Sequence, residues 1–391
     1  MRIVKKAVAL LLGFSLTVGS FTACDVFSDK DSKSSASDVK IEGMRDIKST
    51  ELVSEMVLGW NLGNTLDSTG GNTVNSETAW GNPKTTKQMI DLLKSTGINV
   101  LRVPVTWEAH LGDGPEYTID KAWLDRVQEV VNYAYDNDMF VILNLHHEDW
   151  HFPSNENKAN AIVEIKAVWT QIAKRFEGYD ERLIFEGFNE PRMKGTNYEW
   201  NGGTSESRAA VNEYNFAFVE TIRESGGNNP KRHLMIPTYA ASPESICVSE
   251  FVAPDDDKVI VSIHAYTPYN FALNKTGTDE WSIDNSNDTY QIDRVMSTIK
   301  NKFISKGRAV IIGEFGAMNK FNDDARVAWA EYFTSAAAEI GVPCVLWDNG
   351  VITGNNETFG FMKRDSENPQ WEFPQIIDAL LKGAKKKSSA N

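Results

Sequence analysis

Short apolar runs alternate with amphipathic stretches along most of the chain. The runs are VLGWN from Val57, INVLRVPV from Ile98, MFVILNLHH from Met139, LIFEGFNE from Leu183, HLMIPTY from His233, VIVSIHAY from Val259, AVIIGEFG from Ala309 and PCVLWDNG from Pro343. Between them lie segments such as TTKQMIDLLKST, WLDRVQEVVNYAYDN and ARVAWAEYFTSAAAEIG, with apolar residues three and four apart, the period of a helix with one buried face. Strand patterns alternating with helical ones predict parallel β/α architecture. Eight such units predict a (β/α)8 TIM barrel, one α/β domain over residues 44–383. A doubly wound sheet would need a Gly-rich phosphate turn after an early strand. WNLGNT carries Gly63 but no GxGxxG, and no P-loop occurs.

In a barrel of this kind the active site lies at the C-terminal ends of the strands. The ends of these runs carry Asn61 and Asn64, Arg102, His146 and His147, Asn189 and Glu190, Tyr239, His264 and Tyr266, Glu314, and Trp347 with Asp348. Any one of them serves equally well as a satisfied rim residue. Together they predict a single polar concave rim. The strand predicted over 183–188 runs directly into Asn189-Glu190-Pro191, and a carboxylate there is costly to desolvate unless it is paired or used. A second glutamate, Glu314, ends the seventh run. Two carboxylates across a cleft suit glycoside hydrolysis, in which one donates a proton and the other attacks or activates water. Either could instead pair with a rim arginine such as Arg102. His146 and His147, adjacent on a strand, would point to opposite faces, poor geometry for one ion. His110 and His151 fall on expected loops and no HExxH appears, so neither a catalytic metal nor a cofactor is expected.

Charge narrows the partners. Forty Lys+Arg against 54 Asp+Glu give a net charge of −14 in 391 residues, which argues against nucleic acid and is compatible with a neutral substrate such as a sugar. Of 11 tryptophans, Trp80, Trp107, Trp150, Trp200 and Trp281 fall on expected loops, where flat rings can stack on pyranose faces. Trp123, Trp169 and Trp329 belong to helix-packing patterns. Nothing signals oligomerisation, and a monomer is expected. Cys247 and Cys344 are expected to be separate buried thiols rather than a disulfide. At the start, Arg2, Lys5 and Lys6 precede an apolar stretch over 7–18 that is too short to span a bilayer, the pattern of a signal peptide over 1–23. Its end, Phe21-Thr22-Ala23-Cys24, resembles a bacterial lipobox, with Phe21 where an aliphatic residue is usual. That implies lipidation at Cys24, export, and a membrane-anchored extracellular protein, with 24–43 as a polar tether and 384–391 as a frayed tail.

WNLGNTLD, ETAWGNP, INVLRVPVTW, LNLHHE, FEGFNEP, IHAY, IGEFG and VLWDNG occur in an order that resembles glycoside hydrolase family 5, the cellulase family. The first two segments look most like its broad-specificity bacterial endoglucanases. The resemblance implies a retaining endo-β-1,4-glucanase acting on β-glucan. Glu190 would be the acid/base and Glu314 the nucleophile. Asn189 would hold the 2-hydroxyl of the reacting sugar, Arg102 and Tyr266 would orient Glu314, and His264 would sit by Glu190. His146, His147 and Trp347 would line the sugar path, and Asn61, Asn64 and Asp67 would reach sugars on the non-reducing side. Xyloglucan, lichenan and mannan remain alternative substrates, and a non-catalytic glycan-binding lipoprotein is the alternative of a different class.

Overall fold

The computed structural model describes residues 43–386. The expected signal segment, Cys24, the expected tether up to residue 42 and residues 387–391 lie outside the described residues. Eight strands close a parallel barrel in chain order: β1 Leu58–Leu62, β2 Val100–Val103, β3 Phe140–Asn144, β4 Leu183–Glu186, β5 Leu234–Pro237, β6 Val259–His264, β7 Ala309–Phe315 and β8 Cys344–Asp348. β8 pairs with β1 through Leu58↔Cys344 to Leu62↔Asp348, which leaves the barrel no open edge. Each strand lies within or just beyond one apolar run, and all but β1 end before their run does, where its polar tail bends away into the rim loop.

The predicted helices form within two residues of the patterns that announced them, as Lys87–Thr96, Lys121–Tyr135 and Asp323–Glu339. Local chemistry sets their ends. Asp120 accepts from the Trp123 N–H at 2.8 Å and caps the second. Gly97, at φ 102°, ends the first in a left-handed conformation that a side chain resists.

Side chains alternate between the outside of the barrel, under the helices, and its interior. The outward set, including Leu101, Val103, Val141, Leu143, Val261 and Leu346, joins the helices in the main core. The inward set is a separate cluster. Val100, Phe140, Ile142, Ile184, Met235, Ile260, Ile311 and Val345 fill the lower barrel, and Leu52, Val53 and Met56 plug it from beneath. The last three come from, or just follow, the short helix Ser49–Ser54, which the Asp257 carbonyl and His233 hold through Ser49. Cys247 and Cys344 are free and buried, as expected.

Candidate active site

Climbing the interior two residues at a time, the apolar layer turns polar. Val100 gives way to Arg102, Ile142 to Asn144, Ile184 to Glu186, and Ile260 to Ser262 and His264. On β7 the same parity would place Gly313 inside and Glu314 outside. A bulge changes that: Ile263 pairs with Ile312 while His264 pairs with Glu314, and the pairing with β8 shifts between Ile312 and Phe315. The extra residue turns the Glu314 carboxylate inward. Gly313 makes room, since a Cβ there would sit 3.1 Å from Met235 Cε and 3.2 Å from both His264 Nε2 and Ser262 Oγ.

Arg102 is fully buried at the centre of this layer. Its Nε donates to Glu186 Oε2 at 2.7 Å, Nη1 to Glu314 Oε1 at 2.7 Å and Asn61 Oδ1 at 2.9 Å, and Nη2 to Asn189 Oδ1 at 2.8 Å. One guanidinium therefore neutralises two carboxylates and fixes two amides. The Tyr266 hydroxyl donates to the other Glu314 oxygen at 2.8 Å. Burial, then the charges of Glu314 and Glu190, push the Tyr266 phenol well above its ordinary range, so it stays a donor.

Glu190 follows β4 on the loop and faces Glu314 across His264. His264 Nδ1 lies 2.8 Å from Glu190 Oε1 and 3.6 Å from Glu314 Oε2. The three residues offer atoms that all lie within 4.8 Å of one another. Burial pushes the Glu190 carboxyl up, but the hydrogen bond and charge of His264, joined by Arg192 and Arg102, outweigh it and hold the group below its ordinary value.

The remaining expected site residues divide. Asn189 is buried with its carbonyl held by Arg102. His146 accepts at Nδ1 from Asn144 at 3.2 Å, lies parallel to Trp347 at 5.8 Å, and is held neutral chiefly by burial, which lowers its pKa well below the usual value. β3 ends at Asn144, so His146 and His147 stand in the loop and not in the pleat. Their rings meet edge-on at 4.5 Å instead of pointing to opposite faces. His147 also approaches Trp80 at 5.5 Å. Asn64 sits at φ 57°, its N–H bonded to Asp67 Oδ2, while Asp67 Oδ1 accepts from Thr65. Asp67 with His146 and His147 also brings ligand-type atoms within 4.8 Å, but both Asp67 oxygens close this loop. Asn61 is a correction. It is fully buried, its amide nitrogen bonds the carbonyls of Gly313, Val345 and Leu346, and its oxygen serves Arg102, so no group remains for a sugar. Of the loop tryptophans, Trp80 and Trp200 are exposed and Trp150 is half-buried, whereas Trp107 and Trp281 are buried and join the core. Tyr239 and Asp348 turn from the rim to structural bonds, with Met193 and with Trp60, Arg364 and the 361–362 backbone.

Glu186, Asn144 and Ser262 were missed because they stand inside apolar runs. The interruption of each run by a polar residue at inward parity was the available signal. Arg192 and Glu357 were also missed. Arg192 lies 3.5 Å from Glu190 Oε2. Glu357, on the loop after β8, is pushed up by partial burial and then by the charges of Glu314 and Glu190. A groove of about 750 Å³ starts at Glu190, His264 and Tyr266 and runs past Trp200, Tyr269 and Arg294. A larger concavity, about 860 Å³ around Trp281, Phe321 and Asp324, includes none of the carboxylates of this site.

Two close carboxylates on the C-terminal rim of such a barrel define a glycoside hydrolase site. The family description that matches is Cellulase (glycosyl hydrolase family 5), over residues 63–351. Endoglucanase B of Neocallimastix patriciarum is 49% identical over 350 residues, covering 88% of this chain and 73% of its own. Among solved structures, a GH5-4 broad specificity endoglucanase from Ruminococcus champanellensis with bound cellotriose aligns with a TM-score of 0.84 at 48% identity, covering 87% of this chain and all of the other. A GH5 xyloglucan-specific endo-β-1,4-glucanase from a metagenomic library, in complex with cellotriose, gives 0.81 at 41% identity, covering 85% and 97%. The chain belongs to glycosyl hydrolase family 5, and it is an enzyme.

Proposed function

We propose that this chain is a retaining endo-β-1,4-glucanase that cuts internal bonds of β-glucan, with Glu190 as acid/base and Glu314 as nucleophile. The observation that carries the reading is the spacing of the two carboxylates. Atoms of Glu190, His264 and Glu314 lie within 4.8 Å of one another. That bound on the approach of the two carboxylates fits the close spacing of a retaining pair and is well short of the roughly 6.5–9.5 Å that leaves room for water between them. Relatives named endoglucanase and a similar structure holding cellotriose support the substrate class.

In the first step the Glu314 carboxylate attacks the anomeric carbon, the glycosidic C–O bond breaks, and the Glu190 proton passes to the departing oxygen. Arg102 and Tyr266 keep Glu314 aimed until then through a hydrogen bond to each of its oxygens. The product is a glycosyl ester on Glu314. In the second step Glu190, now ionised, takes a proton from water, whose oxygen attacks the same carbon as the ester bond breaks. Both carboxyls return to their starting states, and two inversions give net retention. Asn189, fixed by Arg102, is placed to hold the 2-hydroxyl. Trp347 and His146, stacked in parallel, form one wall of the sugar path.

Proton NMR of cellotetraose hydrolysis should show the β-anomer forming first, and the α-anomer first would overturn the mechanism. Initial rates and products on carboxymethylcellulose, barley β-glucan, xyloglucan and mannan would place the substrate. Xyloglucan is the second reading, because a xyloglucan-specific enzyme is among the similar structures. We further propose export and anchoring by a lipid at Cys24, with the domain acting as a monomer on the outer face of the membrane. The support is the charged-then-apolar start and the FTAC sequence. Failure of Cys24 to incorporate labelled fatty acid in a bacterial host that labels a control lipoprotein would remove the anchor.

A further inference from the structure

Resting on the assignment of Glu190 above, the geometry around Arg192 adds a component. Two residues after Glu190, the Arg192 guanidinium touches four partners. Nη1 donates to the Glu190 carbonyl at 3.0 Å and lies 3.5 Å from Glu190 Oε2. Nε donates to Glu199 Oε1 at 3.0 Å, and the flat face sits 4.3 Å from the Trp200 ring centroid. Glu199 is itself fixed by the Gly195 N–H at 2.8 Å. Trp200 is 60% exposed, yet it lines the groove that starts at Glu190. An exposed indole held flat against a guanidinium keeps one orientation, with its other face free for a ring of similar size.

The chemistry says which sugar that is. Glu190 protonates the oxygen that leaves, so the sugar bearing that oxygen lies on the Glu190 side of the break. The groove from Glu190 to Trp200 does not include Trp347, which lies parallel to His146. The groove therefore takes the leaving group. We propose that Arg192 is a positioning residue that joins the leaving-group platform Trp200 to Glu190, so that one guanidinium holds both the departing sugar and the carboxylate that protonates it.

The electrostatic setting gives this a readout. Glu190 is faced by His264 from β6, Tyr266 from the loop after it, Glu314 from β7, Arg102 from β2, His147 from the loop after β3 and Glu357 from the loop after β8. Arg192 is the cation on the Oε2 side, while His264 occupies Oε1. Removing its charge makes the carboxyl hold its proton to higher pH, and the basic limb of activity moves up.

The test uses the full chain and two substrates. Cellotetraose needs a proton on its leaving sugar, whereas 2,4-dinitrophenyl β-cellobioside loses its phenolate without one. Arg192→Met should move the basic limb of kcat/KM on cellotetraose up by about half a pH unit or more. It should lower kcat/KM there about tenfold and leave the dinitrophenyl substrate within about twofold. Arg192→Lys should restore the limb but not KM, because lysine carries the charge without the flat fork. Trp200→Ala should raise KM for cellotetraose about fivefold through loss of the leaving-group platform. An unmoved limb in Arg192→Met with a native circular dichroism spectrum overturns the proposal. If that variant does not fold, equal limb and KM in Arg192→Lys and wild type overturn it instead. Glu190→Gln separates the two levels. Loss of cellotetraose cleavage with a retained burst of dinitrophenolate upholds the acid/base assignment, and the absence of that pattern overturns the assignment itself.

Discussion

The two ends of the barrel interior are made by the same eight strands, often by residues only two apart. The lower end is apolar, with Ile142, Ile184, Ile260 and Ile311 against the plug of Leu52, Val53 and Met56. The upper end holds Arg102 between two buried carboxylates. The lower layer is stabilised by removal of apolar surface from water, about 1.5–3 kcal/mol for each large side chain. The upper layer gains little net stability, because desolvating three charges offsets most of their attraction. What the upper layer acquires instead is a carboxylate, Glu314, held at a fixed place by Arg102 and Tyr266. Stability and chemistry are thus divided along the barrel axis.

Substitutions at the two ends should separate these roles. The largest effect is expected for Glu314→Gln, which should cut kcat on cellotetraose by roughly 10^5-fold or more. Its melting temperature should not fall, since Arg102 keeps Glu186 as a partner and one of two crowded carboxylates is neutralised. Residual turnover near wild type would remove Glu314 from the mechanism. Arg102→Met should destabilise by about 3–5 kcal/mol, measured by urea unfolding, because it strands two buried carboxylates. A loss near zero would mean that the carboxylates find other partners. Ile184→Ala, at the apolar end of the strand that carries Glu186, should cost about 2–5 kcal/mol through a cavity. Its kcat per folded molecule should be unchanged, and a matching fall in kcat would show the ends to be coupled.

Two smaller effects probe the upper end alone. Gly313→Ala brings a methyl group to 3.2 Å from His264 Nε2 and Ser262 Oγ and presses on the bulge that turns Glu314 inward. About a tenfold loss in kcat is expected, with little change in stability. His264→Ala removes the strongest of the interactions that hold the Glu190 carboxyl down. The carboxyl then deprotonates at higher pH, so the basic limb of the kcat/KM profile should move up. An unmoved or lowered limb would show that His264 does not set the protonation of Glu190.

The eight strands, their order and the rim were legible in the chain, because apolar runs and helical periods are local patterns. Glu190, Glu314, Arg102, His264 and Tyr266 were legible as polar residues at the ends of those runs, and the structure brings them together. Less was visible where contact is long-range. Glu186 lies inside an apolar run, and its partners Arg102 and Ser262 are 84 and 76 residues away. Asn61 looked like a rim residue, but the barrel closes around it and uses its amide on β7 and β8. Trp107 and Trp281 looked like loop platforms, and packing draws both indoles inside.

By itself the sequence determined the repeating unit, the closure it implies and which residue types stand at each strand end, since these follow from side-chain periodicity and backbone preference. Only the tertiary structure decided which of those residues face one another. A one-residue bulge at Gly313 chooses the inner face for Glu314, and a single guanidinium, Arg102, draws carboxylates from two strands onto one centre. Facing and pairing depend on register between strands distant in the chain, and register is a property of the closed barrel rather than of any one segment.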